Sequence, residues 1–206
     1  MYRAVVTAVA AAASSASALV VNGGFEQPNL GFATVQPGQT YGNWTNAGPG
    51  SIEFVQAVPS GNLPGLEFSA YEGAYWIDLV GTGAPSAIYQ DVQTTPGALY
   101  QISFAMAGNV WGPPMQMNMS ALWNGQVMGS WSHLAQGNNG ANMGWTVHSF
   151  TAVGTGLDRL TFQATSGGNA RGPAIDDVQM VLVPGPAAGA ILACGGLITA
   201  ARRRRS

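Results

Sequence analysis

The stretch at residues 100–106 reads YQISFAM, and its alternation of apolar and polar side chains decides the fold class. Successive side chains of a β-strand point to opposite faces, so every second residue from Tyr100 to Met106 lies on one apolar face. Residues 115–120 repeat the pattern with methionine at every second position. We interpret these methionines as flexible core filling rather than as metal ligands.

Similar short runs recur along the chain, bounded by clusters of Gly, Pro and Asn that favour turns. They lie at residues 52–55, 75–80, 87–92, 145–152, 160–164 and 175–183. No segment between them shows a sustained helical period. Eight or nine short strands without intervening helices predict an all-β fold, an antiparallel β-sandwich of the jelly-roll type.

The first eighteen residues have the features of a signal peptide. Arg3 provides a positive charge, residues 4–13 are almost entirely apolar, and residues 16–18 read ASA, a small-x-small cleavage site. We therefore expect residues 1–18 to be removed on export. The folded domain then spans residues 19–183.

The other end, residues 184–206, resembles a membrane anchor. Residues 187–201 are uncharged, and they precede a basic cluster formed by Arg202, Arg203, Arg204 and Arg205. At about 1.5 Å per residue, this run spans ~22 Å, short of the ~30 Å hydrocarbon core. We expect a transient insertion in the inner membrane, with the arginines on the cytoplasmic side and the domain outside.

The charge of the domain excludes one class of partner. Residues 19–183 contain two arginines, no lysine and all nine acidic residues, so the domain is acidic although the chain as a whole is nearly balanced. A phosphate-rich partner would be repelled, and nucleic acid binding is therefore not expected. The single cysteine, Cys194, lies in the tail, so the domain contains no disulfide and depends on its core or on a metal.

Catalytic motifs are weak. The two histidines, His133 and His148, lie in no nucleophile motif and do not form a zinc ligand set. Glu67, Glu72 and Asp78 include enough carboxylates for a glycosidase, but solvated loop carboxylates and one hydrogen-bonded strand residue explain them equally simply. We therefore expect a protein that is not an enzyme.

Aromatic residues are abundant for a small domain, and sugar rings stack on flat apolar faces. Three tryptophans fall inside or beside strand patterns and are expected to be packed: Trp44, Trp123 and Trp145. A ligand site on a sheet face or loop rim is expected near Tyr75, Trp76, Trp111 and Trp131.

Several motifs occur in a fixed order along the domain. They are LVVNGGFE (19–26), Trp44, IDLVG (77–81), IYQDV (88–92), PGALY (96–100), SFAMAGN (103–109) and GPAIDDV (172–178). In order and spacing they resemble the choice-of-anchor C family of bacterial surface proteins. They are similar, more distantly, to plant cell-wall proteins with tandem galactose-binding-like domains and to carbohydrate-binding modules of that fold. The resemblance implies a galactose-binding-like jelly roll.

The beginning of the tail carries a second resemblance. Residues 183–187 read VPGPA, which is similar to the PEP-CTERM sorting signals in their Val-Pro-x-Pro-Ala form. Gly185 stands where the commonest motif has Glu, between Pro184 and Pro186. This resemblance implies processing by an exosortase-type sorting enzyme and a final location at the cell envelope or surface, or outside the cell.

The resemblance also implies a structural calcium ion (Ca2+). In related modules an acidic residue after the Asn-Gly-x-Phe stretch and another in the final strand hold calcium, and those positions here are Glu26 and Asp176. Asp176 has the parity of Val178 and Met180, so an inward carboxylate needs a partner. Asp177 has the other parity and is the weaker candidate. The alternative is that Asp176 accepts backbone N–H groups.

Two classes of function follow from these observations. The first is a non-catalytic surface module that binds extracellular polysaccharide. The second is a structural or adhesion protein whose partner is another protein, since a fold does not fix a function. A polysaccharide-active enzyme is a third and weaker alternative.

Overall fold

The computed structural model describes residues 19–58, 67–113, 115–168 and 170–184, which form twelve strands and no helix. In chain order the strands are β1 (Ala33–Val35), β2 (Thr40–Tyr41), β3 (Trp44–Asn46), β4 (Ile52–Gln56), β5 (Tyr75–Asp78), β6 (Ala87–Gln93), β7 (Leu99–Gly108), β8 (Gln116–Trp123), β9 (Gln126–Leu134), β10 (Thr146–Val153), β11 (Leu157–Ala164) and β12 (Pro173–Leu182).

The strands form two six-stranded sheets, and every neighbouring pair is antiparallel. The first sheet has the order β1-β4-β5-β12-β7-β10, and the second has the order β2-β3-β6-β11-β8-β9. This arrangement confirms the predicted antiparallel sandwich. The signal peptide, and the tail beyond Pro184, lie outside the described residues.

The main core lies between the two sheets and follows the alternation read from the sequence. On β7, Ile102, Phe104 and Met106 are buried in this core. Met119 on β8 belongs to the same cluster, and Met117 is also fully buried, which agrees with core filling. Burial of such side chains stabilises the fold by about 25 cal/mol for each Å² of apolar surface.

A second apolar cluster covers the outer face of the first sheet. Its buried members are Val55, Phe68, Trp76, Ala107, Met143 and Ala174, and Trp145 packs against them. Some come from strands of the first sheet and others from loops that lie over it. The first sheet is therefore covered on both faces across this region.

A bulge in β12 reverses the predicted orientation of Asp176. Asp176 pairs with Ala105 and Gln179 pairs with Ser103, so three steps on β12 oppose two on β7. The bulge includes Asp177, whose backbone φ is 47°. Asp176 consequently lies on the outer face of the first sheet, whereas Val178 faces the main core. The prediction that they share a face is wrong.

Among the described residues, no helix is long and apolar enough to cross a bilayer. The predicted anchor segment at residues 187–201 is not among these residues. The membrane insertion of the tail therefore stays a prediction.

Candidate functional site

A cavity of about 280 Å³ opens on the outer face of the first sheet, beside the second apolar cluster. β4 contributes Glu53 to its wall, and the loop after β7 contributes Asn109 and Trp111. Phe32, which precedes β1, and Arg171, which precedes β12, complete the polar and aromatic lining. With the buried Phe68, the cavity brings together five separate segments of the chain.

Two aromatic side chains give this cavity apolar walls that solvent can reach. Trp111 is 43% exposed and Phe32 is 60% exposed. The Trp111 ring packs on the buried Phe68, with ring centroids 4.5 Å apart and an angle of 32° between the planes. Phe68 in turn contacts Trp76 edge-on at 5.3 Å. The exposed indole thus has a rigid apolar support, which suits it to stack on a flat ligand.

A hydrogen-bonded chain fixes the loop that carries Trp111. Asn109 accepts the Trp111 backbone N–H on Oδ1 at 3.1 Å, and its Nδ2 donates to Asp78 Oδ2 at 2.8 Å. Asp78 Oδ1 accepts the Val80 backbone N–H at 2.8 Å. Asp78 on β5 therefore anchors the Trp111 loop through the Asn109 side chain.

Asp78 is fully buried, and this burial raises its pKa to about 7, although the hydrogen bonds from Asn109 and Val80 oppose the shift. Glu53 lies directly opposite Asp78 on the neighbouring strand β4 and raises the Asp78 pKa further. Burial also raises the pKa of Glu53. Glu53 in the cavity wall and its cross-strand neighbour Asp78 are thus two carboxyl groups that resist ionisation.

Only one of the four aromatic residues predicted for the ligand site lines this cavity. Tyr75 and Trp76 are 1% and 0% exposed, so the prediction that their rings meet a ligand is wrong. Tyr75 faces the main core, and Trp76 lies under the second cluster. Trp131 is half-buried and contacts Phe104 edge-on at 5.0 Å, away from the cavity lining. Of the four predicted residues, Trp111 is therefore the one whose ring can meet a ligand in this cavity.

Sequence reasoning missed the partners of Trp111 in this cavity. Asn109 ends the SFAMAGN motif and Arg171 precedes GPAIDDV, but neither was assigned a role. Phe32 and Glu53 gave no signal, since an isolated aromatic or acidic residue near a strand is common. Their association depends on which strands become neighbours.

The two residues predicted to share calcium do act on one segment, but through backbone hydrogen bonds. Glu26 Oε1 accepts the N–H groups of Ala74 and Tyr75 at 2.8 and 3.0 Å. Asp176 Oδ2 accepts those of Tyr71 and Glu72 at 2.8 and 3.1 Å. The beginning and the end of the domain are thus joined through residues 71–75.

The surroundings of Asp176 are rich in negative charge. Burial raises the pKa of Asp176 to about 7, against the opposing effect of its N–H donors. The Asp177 carboxylate raises the pKa of Glu72 by repulsion, and Glu26 adds to this effect. Among the described residues, no three acidic, histidine or cysteine side chains are arranged to hold a metal ion. Calcium binding stays a prediction.

A larger surface depression, of about 480 Å³, lies beside β6 and offers a less suitable site. Its one aromatic residue is Tyr89, and the Arg159 guanidinium covers a face of that ring at 3.8 Å from the centroid. Arg159 also forms an ion pair with Asp91 at 2.7 Å. This depression therefore lacks the freely exposed aromatic face of the Trp111 cavity.

Solved structures with this architecture include several carbohydrate-binding modules. TmCBM61, solved in complex with β-1,4-galactotriose, has a TM-score of 0.53 and 19% identity, covering 82% of this chain and 100% of that chain. A family 35 module from Clostridium thermocellum has a TM-score of 0.47 and 15% identity, covering 74% and 98% of the two chains. The xylan-binding domain CBM22-1 from Paenibacillus barcinonensis Xyn10C gives 0.47 and 14%, covering 74% and 94%.

At these identities the likeness to TmCBM61 establishes a shared fold and no more. No curated protein matches the chain in sequence. The expected fold, a galactose-binding-like jelly roll, agrees with this likeness, whereas the choice-of-anchor C resemblance and the sorting signal stay predictions. A family model does match residues 18–181, and the chain accordingly belongs to the DUF642 family, a family of proteins of unknown function.

Proposed function

We propose that this chain is an exported, non-catalytic module that binds extracellular polysaccharide in the Trp111 cavity. The observation that carries the proposal is the exposed Trp111 ring, held rigidly beside Phe32 above a cavity with polar groups. Sugar rings present an apolar face and a rim of hydroxyls, so they need both kinds of contact. Glu53, Asn109 and Arg171 supply the polar contacts.

The size of the cavity favours a short stretch of glycan over a large ligand. Its 280 Å³ is at the lower limit of small-molecule sites, which range over roughly 300–1,000 Å³. Affinity at each site is then modest. A surface protein gains binding strength when many copies engage one polymer.

The carboxyl groups of Glu53 and Asp78 support a binding role rather than hydrolysis. A glycosidase needs two carboxyl groups that can both reach the scissile bond. Asp78 is fully buried, and its two oxygens already accept hydrogen bonds from Val80 and Asn109. Glu53 therefore has no accessible carboxyl partner in Asp78, its cross-strand neighbour.

Affinity gel electrophoresis and a glycan array test the proposal on residues 19–183, which contain all twelve strands. We expect wild type to bind at least one extracellular polysaccharide and Trp111→Ala to bind about thirtyfold more weakly, the effect of losing an aromatic contact worth ~2 kcal/mol. Phe32→Ala is expected to weaken binding in the same assay.

Tyr71→Ala is the matched control, because Tyr71 is 44% exposed but does not line the cavity. Its affinity is expected to equal that of wild type. Failure of wild type to bind any polysaccharide preparation would contradict the proposal, as would an equal loss in the Trp111 and Tyr71 variants.

Export and sorting form a separate part of the proposal. We propose that the tail holds the unprocessed chain in the inner membrane until an exosortase-type enzyme cleaves near Pro184 and Pro186. Replacing both prolines by alanine is expected to leave a full-length, membrane-bound product. Replacing residues 202–205 by serine is expected instead to let the tail pass through the membrane, because the charge that stops it is gone. Unchanged mass and secretion in the proline variant would refute the sorting role.

A further inference from the structure

The charged residues of the domain are confined to one part of the chain. Residues 92–157 contain no Asp, Glu, Lys or Arg, so all nine acidic residues lie outside this stretch. The uncharged stretch includes β7, β8, β9 and β10 entirely. One lateral side of the sandwich is therefore uncharged, whereas the domain as a whole is acidic.

Two strands of this uncharged stretch, β9 and β10, form sheet edges on the same side of the sandwich. β9 is the last strand of the second sheet, and β10 is the last strand of the first sheet. Trp131 on β9 packs near His148 and Phe150 on β10, with ring centroids 5.6 and 6.3 Å apart. On the opposite side the edge strands are β1 and β2, which are only three and two residues long.

Apart from one bulge, β9 lacks the features that normally protect a sheet edge. Proteins shield such edges with short strands, proline or charged side chains, because unpaired backbone N–H and C=O groups can otherwise pair with another chain. β9 has nine residues, with neither proline nor charge. Val127 and Leu134 near its ends are exposed, and so is Ser130 at its centre. The bulge lies at Met128, opposite Ala121 and Leu122, and leaves the pairing of Gly129 to Leu134 with β8 regular.

Charge also determines what can approach this edge. Two copies of an acidic domain repel each other over most orientations, and this repulsion is weakest where both present their uncharged sides. Homo-oligomers are most often two-fold symmetric, and an antiparallel strand pair has that symmetry. A second copy of this chain meets both conditions through β9.

We infer that β9 pairs antiparallel with β9 of a second copy, with Ser130 opposite Ser130 on the two-fold axis. Ser130 is the middle residue of the nine-residue strand. Gly129 then faces Trp131 across the axis. The second sheet of one copy and the second sheet of the other then join into one continuous twelve-stranded sheet. This contact is independent of the Trp111 cavity, which lies on the first sheet.

A disulfide test reads out the register directly. Residues 19–183 contain no cysteine, and directly opposed residues of an antiparallel pair have Cβ atoms about 4.5–5.5 Å apart, close to the distance of a disulfide. Under mild oxidation Ser130→Cys is expected to give a covalent dimer. Ser149→Cys, at an exposed position in the β10 edge, is the matched control and is expected to stay monomeric. Cross-linking at residue 149 but not 130, or at neither, overturns the proposal.

A charge test measures the association itself. Sedimentation velocity is expected to show a reversible dimer of wild-type residues 19–183, strengthened by added salt because the acidic copies repel less. Ser130→Lys places two positive charges across the axis and is expected to weaken the dimer at least about tenfold. Thr151→Lys in β10 is the control and retains the wild-type dimer.

Circular dichroism and thermal melting confirm that both lysine variants are folded before their masses are compared. A monomeric wild type at all concentrations overturns the inference, and so does an equal loss in the two variants. Glycan binding by Ser130→Lys is expected to be unchanged, so this result separates the failure of the dimer from the failure of the Trp111 cavity.

Discussion

The outer faces of the two sheets differ, although both sheets have six antiparallel strands. Loops and a second apolar cluster cover part of the first sheet, and the Trp111 cavity opens beside this cover. The second sheet instead presents polar side chains in register across its strands, with Thr45 beside Tyr89 and Tyr89 beside Thr161. In this chain the cavity with an exposed aromatic ring therefore lies where loops fold over the first sheet.

The two faces also treat carboxylates differently. Asp78 and Asp176 on the first sheet are fully buried, and each accepts backbone or amide N–H groups. Asp91 on the second sheet is exposed and pairs with Arg159. Cover by loops thus converts ordinary surface carboxylates into groups that resist ionisation. Four predictions test this difference between the covered first sheet and the open second sheet.

The largest effect is expected at Trp76, which lies under the cover. Trp76→Ala should lower the free energy of unfolding by about 3–5 kcal/mol, because it leaves a large cavity in the second cluster. Tyr89→Ala on the open face should cost far less. Trp76→Phe should be milder than Trp76→Ala, since the indole N–H has no acceptor among the described residues. Urea denaturation measures all three, and equal losses for Trp76→Ala and Tyr89→Ala would contradict the comparison.

The pH dependence of stability should reveal the buried carboxyls. With pKa values near 7 in the folded state, Asp78 and Asp176 hold protons between about pH 4 and 7 that the unfolded chain has released. Stability should therefore fall as the pH rises through this window, by an amount on the order of a few kcal/mol. Denaturant midpoints at pH 4.5 and 7.5 measure this.

Asp158 provides a contrast of opposite sign at the end of the second sheet. Burial of Asp158 would raise its pKa, but hydrogen bonds from Thr155, Thr94 and Asn124 lower it to about 2. Its contribution to stability is lost only as the pH falls from about 4 towards 2.

The variant Asp176→Asn tests the buried carboxyls of the first sheet, because it should flatten the decrease of stability between pH 4.5 and 7.5. A wild-type free energy of unfolding that rises between pH 4.5 and 7.5 would contradict the raised pKa values of Asp78 and Asp176.

Calcium is the next effect in size. We propose that a calcium ion relieves the repulsion among Glu26, Glu72 and Asp177 beside Asp176. Calcium at a hundredfold excess over its Kd would stabilise the folded state by ~2.7 kcal/mol. Removal of calcium with EDTA should therefore lower the melting temperature. Glu26→Gln should abolish the EDTA effect. If EDTA leaves the wild-type melting temperature unchanged, the backbone N–H donors alone satisfy Asp176.

The smallest effect is expected on the open face. Asp91→Ala removes the ion pair with Arg159, whose side chains are 42% and 49% exposed. Solvent screens such a pair, so the loss should be about 0.2–1 kcal/mol and should shrink in high salt. Thermal melting at low and high salt measures it. If Asp91→Ala lowered the free energy of unfolding as much as Trp76→Ala does, the contrast between the exposed face and the covered face would be wrong.

The strands that the sequence predicted are those with a clear apolar face. β7 and β8 alternate strictly, and both appear at the expected positions. β9 was not predicted, because Gly129 and the serines at 130 and 132 leave it without an apolar alternation. An edge strand has one strand neighbour and much exposed surface, so its sequence is under weaker hydrophobic constraint.

The candidate site was predicted only in part. Trp111 was identified because it follows a strand and adjoins Gly and Pro, as exposed loop residues do. Tyr75 and Trp76 were wrongly placed because a sequence cannot show that β5 is covered on both faces. The expected acceptance of backbone N–H groups by Asp176, kept as an alternative, does occur, but the bulge that turns Asp176 outward was not foreseen.

The sequence by itself determined the fold class and the acidic character of the domain, because strand alternation and net charge are local or additive properties. The tertiary structure decided which aromatic rings reach solvent, which carboxyls lose it, and that Phe32 and Trp111 share one cavity. These outcomes depend on contacts between distant segments, and the alternation of a single strand contains no information about what covers it.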